Sequence, residues 1–290
     1  MTPPLLPLLA LALAQDLPPA APAAAPVETT VAPDAVEDRG TVVFIHGLYV
    51  NSRCWDGWKQ RFEAAGYTVL TPDWPVHAGD PAALRASPPE GLRALGLEDV
   101  VDHFREIVKS SATPPILIGH SMGGLIVQIL LSEGLGQAGV AIDSAPPKGV
   151  FSFAPSFARS NSASLTPGKR PVLLAPRKFH YAFANNLSKE ASAGFYQALV
   201  VPESRLATRG PLTAAGEVDF DAKHAPLLML AGGNDHITPA GMNKKNAEKY
   251  DPAAGRVDFE VLDGRSHLTL GEPGWEAVAD RVLGWLGALG

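Results

Sequence analysis

Pro115-Ile116-Leu117-Ile118-Gly119-His120-Ser121-Met122-Gly123-Gly124 is the segment on which the architecture hinges. Its apolar run, Ile116 to Ile118, reads as a buried strand. The strand runs into a Gly-x-Ser-x-Gly pentad, Gly119 to Gly123, and Leu125-Ile126-Val127-Gln128-Ile129-Leu130-Leu131 continues as a helix. Strand, sharp turn and helix form the context of a nucleophile elbow. The turn predicts a strained backbone at Ser121, with glycines on either side where neighbouring backbone passes too close for a Cβ. It also predicts an exposed Ser121 Oγ beside a helix N-terminus, whose amides favour developing negative charge.

Working outward, strands alternate with helices. Thr41-Val42-Val43-Phe44-Ile45 is a β-branched and aromatic strand that opens onto His46-Gly47-Leu48. A helix is expected from Trp55 to Ala65, a strand from Thr68 to Thr71, and a helix from Leu97 to Val108 with Val100, Val101, Phe104, Ile107 and Val108 on one face. Gly139-Val140-Ala141-Ile142 is a strand ending at Asp143. Leu227 to Ala231 is a strand opening onto Gly232-Gly233-Asn234-Asp235-His236, and Val257 to Leu262 leads to Gly264-Arg265-Ser266-His267. An amphipathic helix from Trp275 to Leu289 closes the chain. This alternation predicts a doubly wound, mostly parallel α/β sheet of about six strands with right-handed crossovers.

Residues 145–223 interrupt the alternation. Eight prolines break the segment, helical patterns persist at Phe179–Asn186 and Lys189–Val200, and aromatic residues concentrate there. Such residues need a surface to pack on, so the segment reads as a helical cap insertion roofing a pocket. The core is then 40–144 with 224–290.

Bulk properties narrow the function. A chain of 290 residues that is 46% hydrophobic supports one sizeable core with a small cap. A net charge of −6 disfavours nucleic acid or an anionic membrane as partner, and no apolar stretch reaches the length of a membrane span. Cys54 is the single cysteine, so no intramolecular disulfide forms. His77 and His236 lack partners at metal-ligand spacing, and no Gly-x-Gly-x-x-Gly follows a strand; neither a metal nor a cofactor is expected. Residues 1–14 have the apolar run and Ala12-Leu13-Ala14 ending of a secretory signal peptide, without its usual Lys or Arg. Residues 15–39 read as an Ala/Pro-rich linker. The expectation is export to the periplasm or medium, or a cytoplasmic protein if residues 1–14 are not a signal.

The His-Gly loop, the serine pentad, Asp235 and His267 occur in that chain order. Over about residues 40 to 289 the chain therefore resembles the α/β-hydrolase superfamily, and within it the compact bacterial esterase and haloperoxidase-like branch. The two antiparallel strands that usually open that fold have no room before Thr41, so a shortened sheet is expected. The resemblance implies Ser121 as nucleophile, His267 as its base, and Asp235 as the acid that orients His267. Asp143, one strand earlier, is the alternative acid. The oxyanion hole would use the amides of Met122 and Leu48. Tyr49, Trp55, Phe179, Tyr181 and Phe183 are candidate pocket residues. The implied activity is hydrolysis of carboxylic esters of small or medium apolar substrates through an acyl-enzyme. A cofactor-free perhydrolase or C–C bond hydrolase is the alternative, and a non-catalytic ligand-binding pseudo-hydrolase is the alternative of another class.

Overall fold

The computed structural model describes residues 38–162 and 168–289. The signal-peptide expectation and nearly all of the linker lie outside the described residues.

The core runs β1 (Thr41–Ile45), α1 (Asp56–Ala64), β2 (Thr68–Leu70), α2 (Pro81–Ala86), α3 (Leu97–Ser110), β3 (Ile116–His120), α4 (Met122–Ser132) and β4 (Ala138–Ile142). The insertion carries α5 (Pro155–Asn161), α6 (Pro176–Ala182), α7 (Lys189–Leu199) and α8 (Arg205–Arg209). The core resumes with β5 (Leu227–Gly232), α9 (Ala240–Ala247), β6 (Val257–Leu262) and α10 (Trp275–Gly287). The strands form one six-stranded sheet in the order β2-β1-β3-β4-β5-β6. Every neighbouring pair is parallel. The first strand thus lies next to the β2 edge; the chain steps out to β2, then crosses back past β1 and winds to the β6 edge.

Strand alternation divides the core into two layers. Val43, Ile45, Leu117, Ala141 and Met229 point to one face, where they pack with Leu97, Val100 and Phe104 of α3 and with Leu125 and Ile126 of α4. Val42, Phe44, Ile118, Val140 and Leu230 point to the other, against Trp58 and Phe62 of α1 and Val278 and Val282 of α10. Both faces of β3 and β4 are covered, which is why these strands read as continuous apolar runs rather than alternating ones. Complete burial of each such side chain contributes about 1.5–3 kcal/mol. No helix among the described residues is long and apolar enough to cross a membrane.

The insertion has a core of its own. Val172, Leu174, Phe179, Ala182, Phe183, Tyr196 and Val200 pack together with Tyr49 from the loop after β1 and Leu268 from the loop after β6. It thereby sits on loops at the C-terminal ends of the strands, where ligands bind in open α/β sheets. Its aromatic residues divide in two. Phe179 and Tyr196 are buried, whereas Phe151 and Phe153 are 57% and 95% exposed and roof nothing.

Candidate active site

Among the described residues, four non-glycine residues have positive φ: Tyr49, Val76, Ser121 and Asp143. They follow β1, β2, β3 and β4 respectively, so backbone strain concentrates at the C-terminal ends of these strands. Ser121 sits at φ 56°, ψ −118°, directly before α4. The turn is tight enough to require its glycines. A Cβ at Gly119 would lie 2.1 Å from the Gly123 carbonyl oxygen, and one at Gly123 would lie 2.0 Å from that of Ile45. The turn is further held by the Ser121 amide, which donates to Ile142 O at 2.9 Å, and by Ser121 O, which accepts from the Ala145 amide at 2.8 Å.

The expected exposure of the serine is not observed. Ser121 is buried, with 6% of its surface accessible, because the loops and the insertion close over the strand ends. Cavities of about 550 and 600 Å³ open elsewhere. One is lined by Asp38, Arg39, Tyr67 and Gln137 at the N-terminal ends of the strands, and the other by Pro88, Glu90, Arg93 and Arg170.

Asp235 and His267, 32 residues apart in sequence, meet. His267 Nδ1 lies 2.6 Å from Asp235 Oδ2, with both side chains buried. The loop after β5 makes Asp235 rigid: its Oδ1 accepts from the amides of Ile237 and Thr238 at 2.6 and 2.9 Å. The Thr238 hydroxyl lies 2.7 Å from Asp235 Oδ2 and 2.9 Å from the Asp143 carbonyl oxygen. Thr238 thus positions Asp235, and its place at Asp-x-x-Thr before a helix is a recognisable turn signal. His267 Nε2 is buried without a hydrogen-bond partner. His120, beside the serine, places its Nε2 2.9 Å from the His267 carbonyl oxygen, and the two rings lie 4.7 Å apart.

The charges follow from this arrangement. Burial opposes the charge of Asp235, but His267 and the Thr238 hydrogen bonds outweigh it and hold the carboxyl below the usual carboxylate range. Burial likewise opposes imidazolium at His267, and Asp235, with a smaller contribution from Asp143, raises its pKa above the ordinary value. His120 is driven down to about 3 by burial and by the neighbouring His267, so it is a neutral structural ring.

Asp143 is oriented differently. Its Oδ1 accepts the Gly232 amide at 2.5 Å, while Oδ2 is buried without a partner, 4.0 Å from His120 Nε2. Burial, reinforced by the Asp235 charge, pushes its pKa up to about 8. Donor atoms of His120, Asp143 and His267 lie within 4.8 Å of one another. His267 Nδ1 is engaged with Asp235 and His120 Nε2 with the His267 carbonyl, while His120 Nδ1, Asp143 Oδ2 and His267 Nε2 are buried without a hydrogen-bond partner.

The His-Gly loop lies against the serine: a Cβ at Gly47 would come 2.7 Å from Ser121 Cβ. Beneath it, His46 is fully buried, with Nδ1 2.9 Å from the Gly47 carbonyl oxygen and Nε2 accepting the Trp74 amide at 3.1 Å. Burial, together with the nearby His77, keeps His46 well below the ordinary imidazole pKa. The Met122 amide opens α4 and has no carbonyl partner within its own helix. Leu48 is the half-buried residue between Gly47 and Tyr49.

The candidate pocket residues separate. Phe183 packs edge-on against the His267 ring at 5.0 Å. Tyr181 packs on His236 at 4.7 Å and lies under the Arg159 guanidinium at 3.9 Å. Tyr49 is buried between the His-Gly loop and the insertion. Trp55 and Phe179 are fully buried and present no surface to a ligand. Trp55 stacks on Phe44 at 4.6 Å in the core, and Phe179 stacks on Phe183 at 5.1 Å behind it.

A family model described as the alpha/beta hydrolase family matches residues 42–281. A monoacylglycerol lipase from Mycolicibacterium smegmatis is 26% identical over 270 residues, covering 86% of this chain and 89% of the relative. Among solved structures, a monoacylglycerol lipase from Paleococcus ferrophilus superposes with a TM-score of 0.62 at 22% identity, over 86% of this chain and 94% of its own. A methylesterase from Arabidopsis superposes with a TM-score of 0.63 at 15% identity, over 85% and 98%. With most of its length matched by the family model, the chain is a hydrolase belonging to the alpha/beta hydrolase family.

Proposed function

We propose that this hydrolase cleaves carboxylic esters of small or medium apolar substrates through an acyl-enzyme on Ser121. The observation that carries the reading is the 2.6 Å contact between His267 Nδ1 and Asp235 Oδ2, which leaves His267 Nε2 buried and unengaged at the strand end that carries the strained serine. In this reading Nε2 takes the Ser121 proton as Oγ attacks the ester carbonyl. Asp235 fixes the tautomer and stabilises the imidazolium. The carbonyl oxygen becomes an oxyanion held by the Leu48 and Met122 amides. Collapse of the tetrahedral intermediate, with His267 returning the proton, releases the alcohol; water then repeats the sequence on the acyl-enzyme. Ester-cleaving relatives such as the lipase and the methylesterase support the substrate class.

Ser121→Ala tests the assignment. It is expected to lower kcat on p-nitrophenyl esters by about four or more orders of magnitude with the fold intact. A fluorophosphonate probe is expected to label Ser121 alone, as read by peptide mass spectrometry. Esterase activity that survives complete labelling would remove Ser121 from the mechanism.

A further inference from the structure

One buried carboxylate outside the triad touches the loop that faces the serine. Glu203 belongs to the insertion and is completely buried. Its backbone is fixed by a two-way bridge with Val172, each amide donating to the other's carbonyl at 2.7 Å. Its Oε1 accepts the Ser204 amide at 2.6 Å. Its Oε2 accepts the Tyr49 amide at 3.1 Å and lies 3.2 Å from His77 Nε2. Two residues upstream of Glu203, the Val201 amide donates to the Tyr49 carbonyl at 2.9 Å, so both polar groups of the Tyr49 backbone are tied to the insertion.

Tyr49 at φ 66° and Val76 at φ 60° are two of the four strained positions, and Glu203 reaches both turns: Tyr49 directly, and Val76 through His77. A β-branched residue at positive φ persists only where its surroundings over-determine it. His77 has an acceptor at each ring nitrogen, the Pro75 carbonyl at Nδ1 and Glu203 at Nε2, which suits the doubly protonated ring. Burial opposes that charge, but Glu203 outweighs it and raises the His77 pKa above the ordinary value. Leu48 therefore lies between two anchors. On one side His46 ties Gly47 to the core; on the other, Glu203 and Val201 tie Tyr49 to the insertion.

We infer that Glu203, paired with His77, is the positioning residue that sets the loop carrying the Leu48 amide, so that the insertion completes the oxyanion hole. The inference rests on the serine-hydrolase reading above. It makes the insertion part of the catalytic apparatus rather than only a cover.

The test uses the full chain, with Glu203→Gln and the paired change Glu203→Gln with His77→Gln. Glutamine keeps the shape but cannot accept from the Ser204 and Tyr49 amides at once without turning its own NH₂ toward one of them. The paired change also removes the buried imidazolium, which would otherwise lose its counter-ion. Three quantities are read: steady-state kinetics on p-nitrophenyl butyrate, affinity for an aryl trifluoromethyl ketone that forms a tetrahedral adduct with serine, and hydrogen exchange of peptides covering residues 46–50. A displaced rather than deleted donor is expected to lower kcat by about 10- to 100-fold with KM nearly unchanged, and to weaken the ketone in parallel. Exchange at the Tyr49 amide is expected to rise while β3 and α4 keep wild-type protection. In an active enzyme, unchanged kcat and exchange in both variants overturns the proposal. So does a loss of activity matched by increased exchange throughout the molecule, which marks a merely structural Glu203. Wild-type protein inert to both ester and ketone overturns the serine-hydrolase reading and, with it, the catalytic half of this one; loop exchange then still decides whether Glu203 holds Tyr49.

Discussion

Two carboxylates end neighbouring strands, and their hydrogen bonds separate their roles. Asp235 turns one oxygen onto His267 Nδ1 and fills the other with two backbone amides. Asp143 spends one oxygen on Gly232 and leaves the other unpartnered, with its pKa pushed up to about 8. A carboxyl whose pKa is raised by burial carries less charge and stabilises an imidazolium less than one held ionised. Asp235→Asn is therefore expected to lower kcat by about 10⁴, and Asp143→Asn by far less. The pH profile gives a second readout. In the proposed mechanism only neutral His267 accepts the serine proton, so activity is expected to fall as pH drops through the His267 pKa. That pKa is raised above its ordinary value of 6.5, chiefly by Asp235 acting against burial. The acidic limb of wild-type kcat/KM is thus expected above pH 6.5, and the residual activity of Asp235→Asn should show a limb displaced to lower pH. A larger loss in Asp143→Asn, or a limb that stays put in Asp235→Asn, would transfer the role to Asp143.

At the scale of elements, the sequence is most legible where one local pattern serves both folding and chemistry. The pentad predicts β3, the strained turn and α4 together, because Gly119 and Gly123 are needed for close packing and Ser121 for its position. The strands before the His-Gly loop, Asp235 and His267 are legible for the same reason. What escapes is whatever depends on side chains meeting across long separations. The Glu203 contact with His77 spans 126 residues and belongs to no motif; its only local trace is a carboxylate closing the apolar run Val200-Val201-Pro202. Trp55 and Phe179 show the converse error, since neither a motif nearby in sequence nor a place in an aromatic-rich insertion says whether a ring turns into the core or toward a ligand. The elbow glycines can be tested directly. A Cβ at Gly123 would meet the Ile45 carbonyl oxygen at 2.0 Å, and backbone there has nowhere to move. Gly123→Ala is expected to destabilise the protein by more than about 3 kcal/mol or to prevent folding. Gly284, exposed on α10 with nothing within 4 Å of a Cβ, provides the contrast. Gly284→Ala is expected to stabilise by about 0.5–1 kcal/mol. Urea midpoints measure both, and a fully stable Gly123→Ala would contradict the packing described for the elbow.

For the whole molecule, the consequence of the insertion is that the chemistry is enclosed. Ser121 is 6% exposed, His267 is buried, and the insertion's own core includes Tyr49 and Leu268 from the loops beside them. On the proposed reading, an ester that reaches Ser121 meets side chains of the insertion, and the insertion rather than the sheet is expected to set the acceptable size. Phe183 packs edge-on to His267, and Tyr181 lies half-buried against His236, next to Asp235 in the chain. Each methylene that fits against such walls adds up to about 0.8 kcal/mol of transition-state binding, and one that does not fit adds nothing or clashes. Across p-nitrophenyl esters of increasing acyl length, kcat/KM is therefore expected to rise and then fall. Phe183→Ala and Tyr181→Ala are expected to shift the optimum to longer chains. Phe179→Ala should behave differently, because a ring with no accessible surface acts through packing alone. It is expected to cost about 3–5 kcal/mol of stability while leaving the optimum of the folded fraction in place. The discriminating measurement is the chain-length profile normalised to fluorophosphonate-titrated sites, taken beside a denaturation curve for each variant. Profiles that coincide for wild type, Phe183→Ala and Tyr181→Ala would show that the insertion covers the site without shaping it, and would return specificity to the loops of the core.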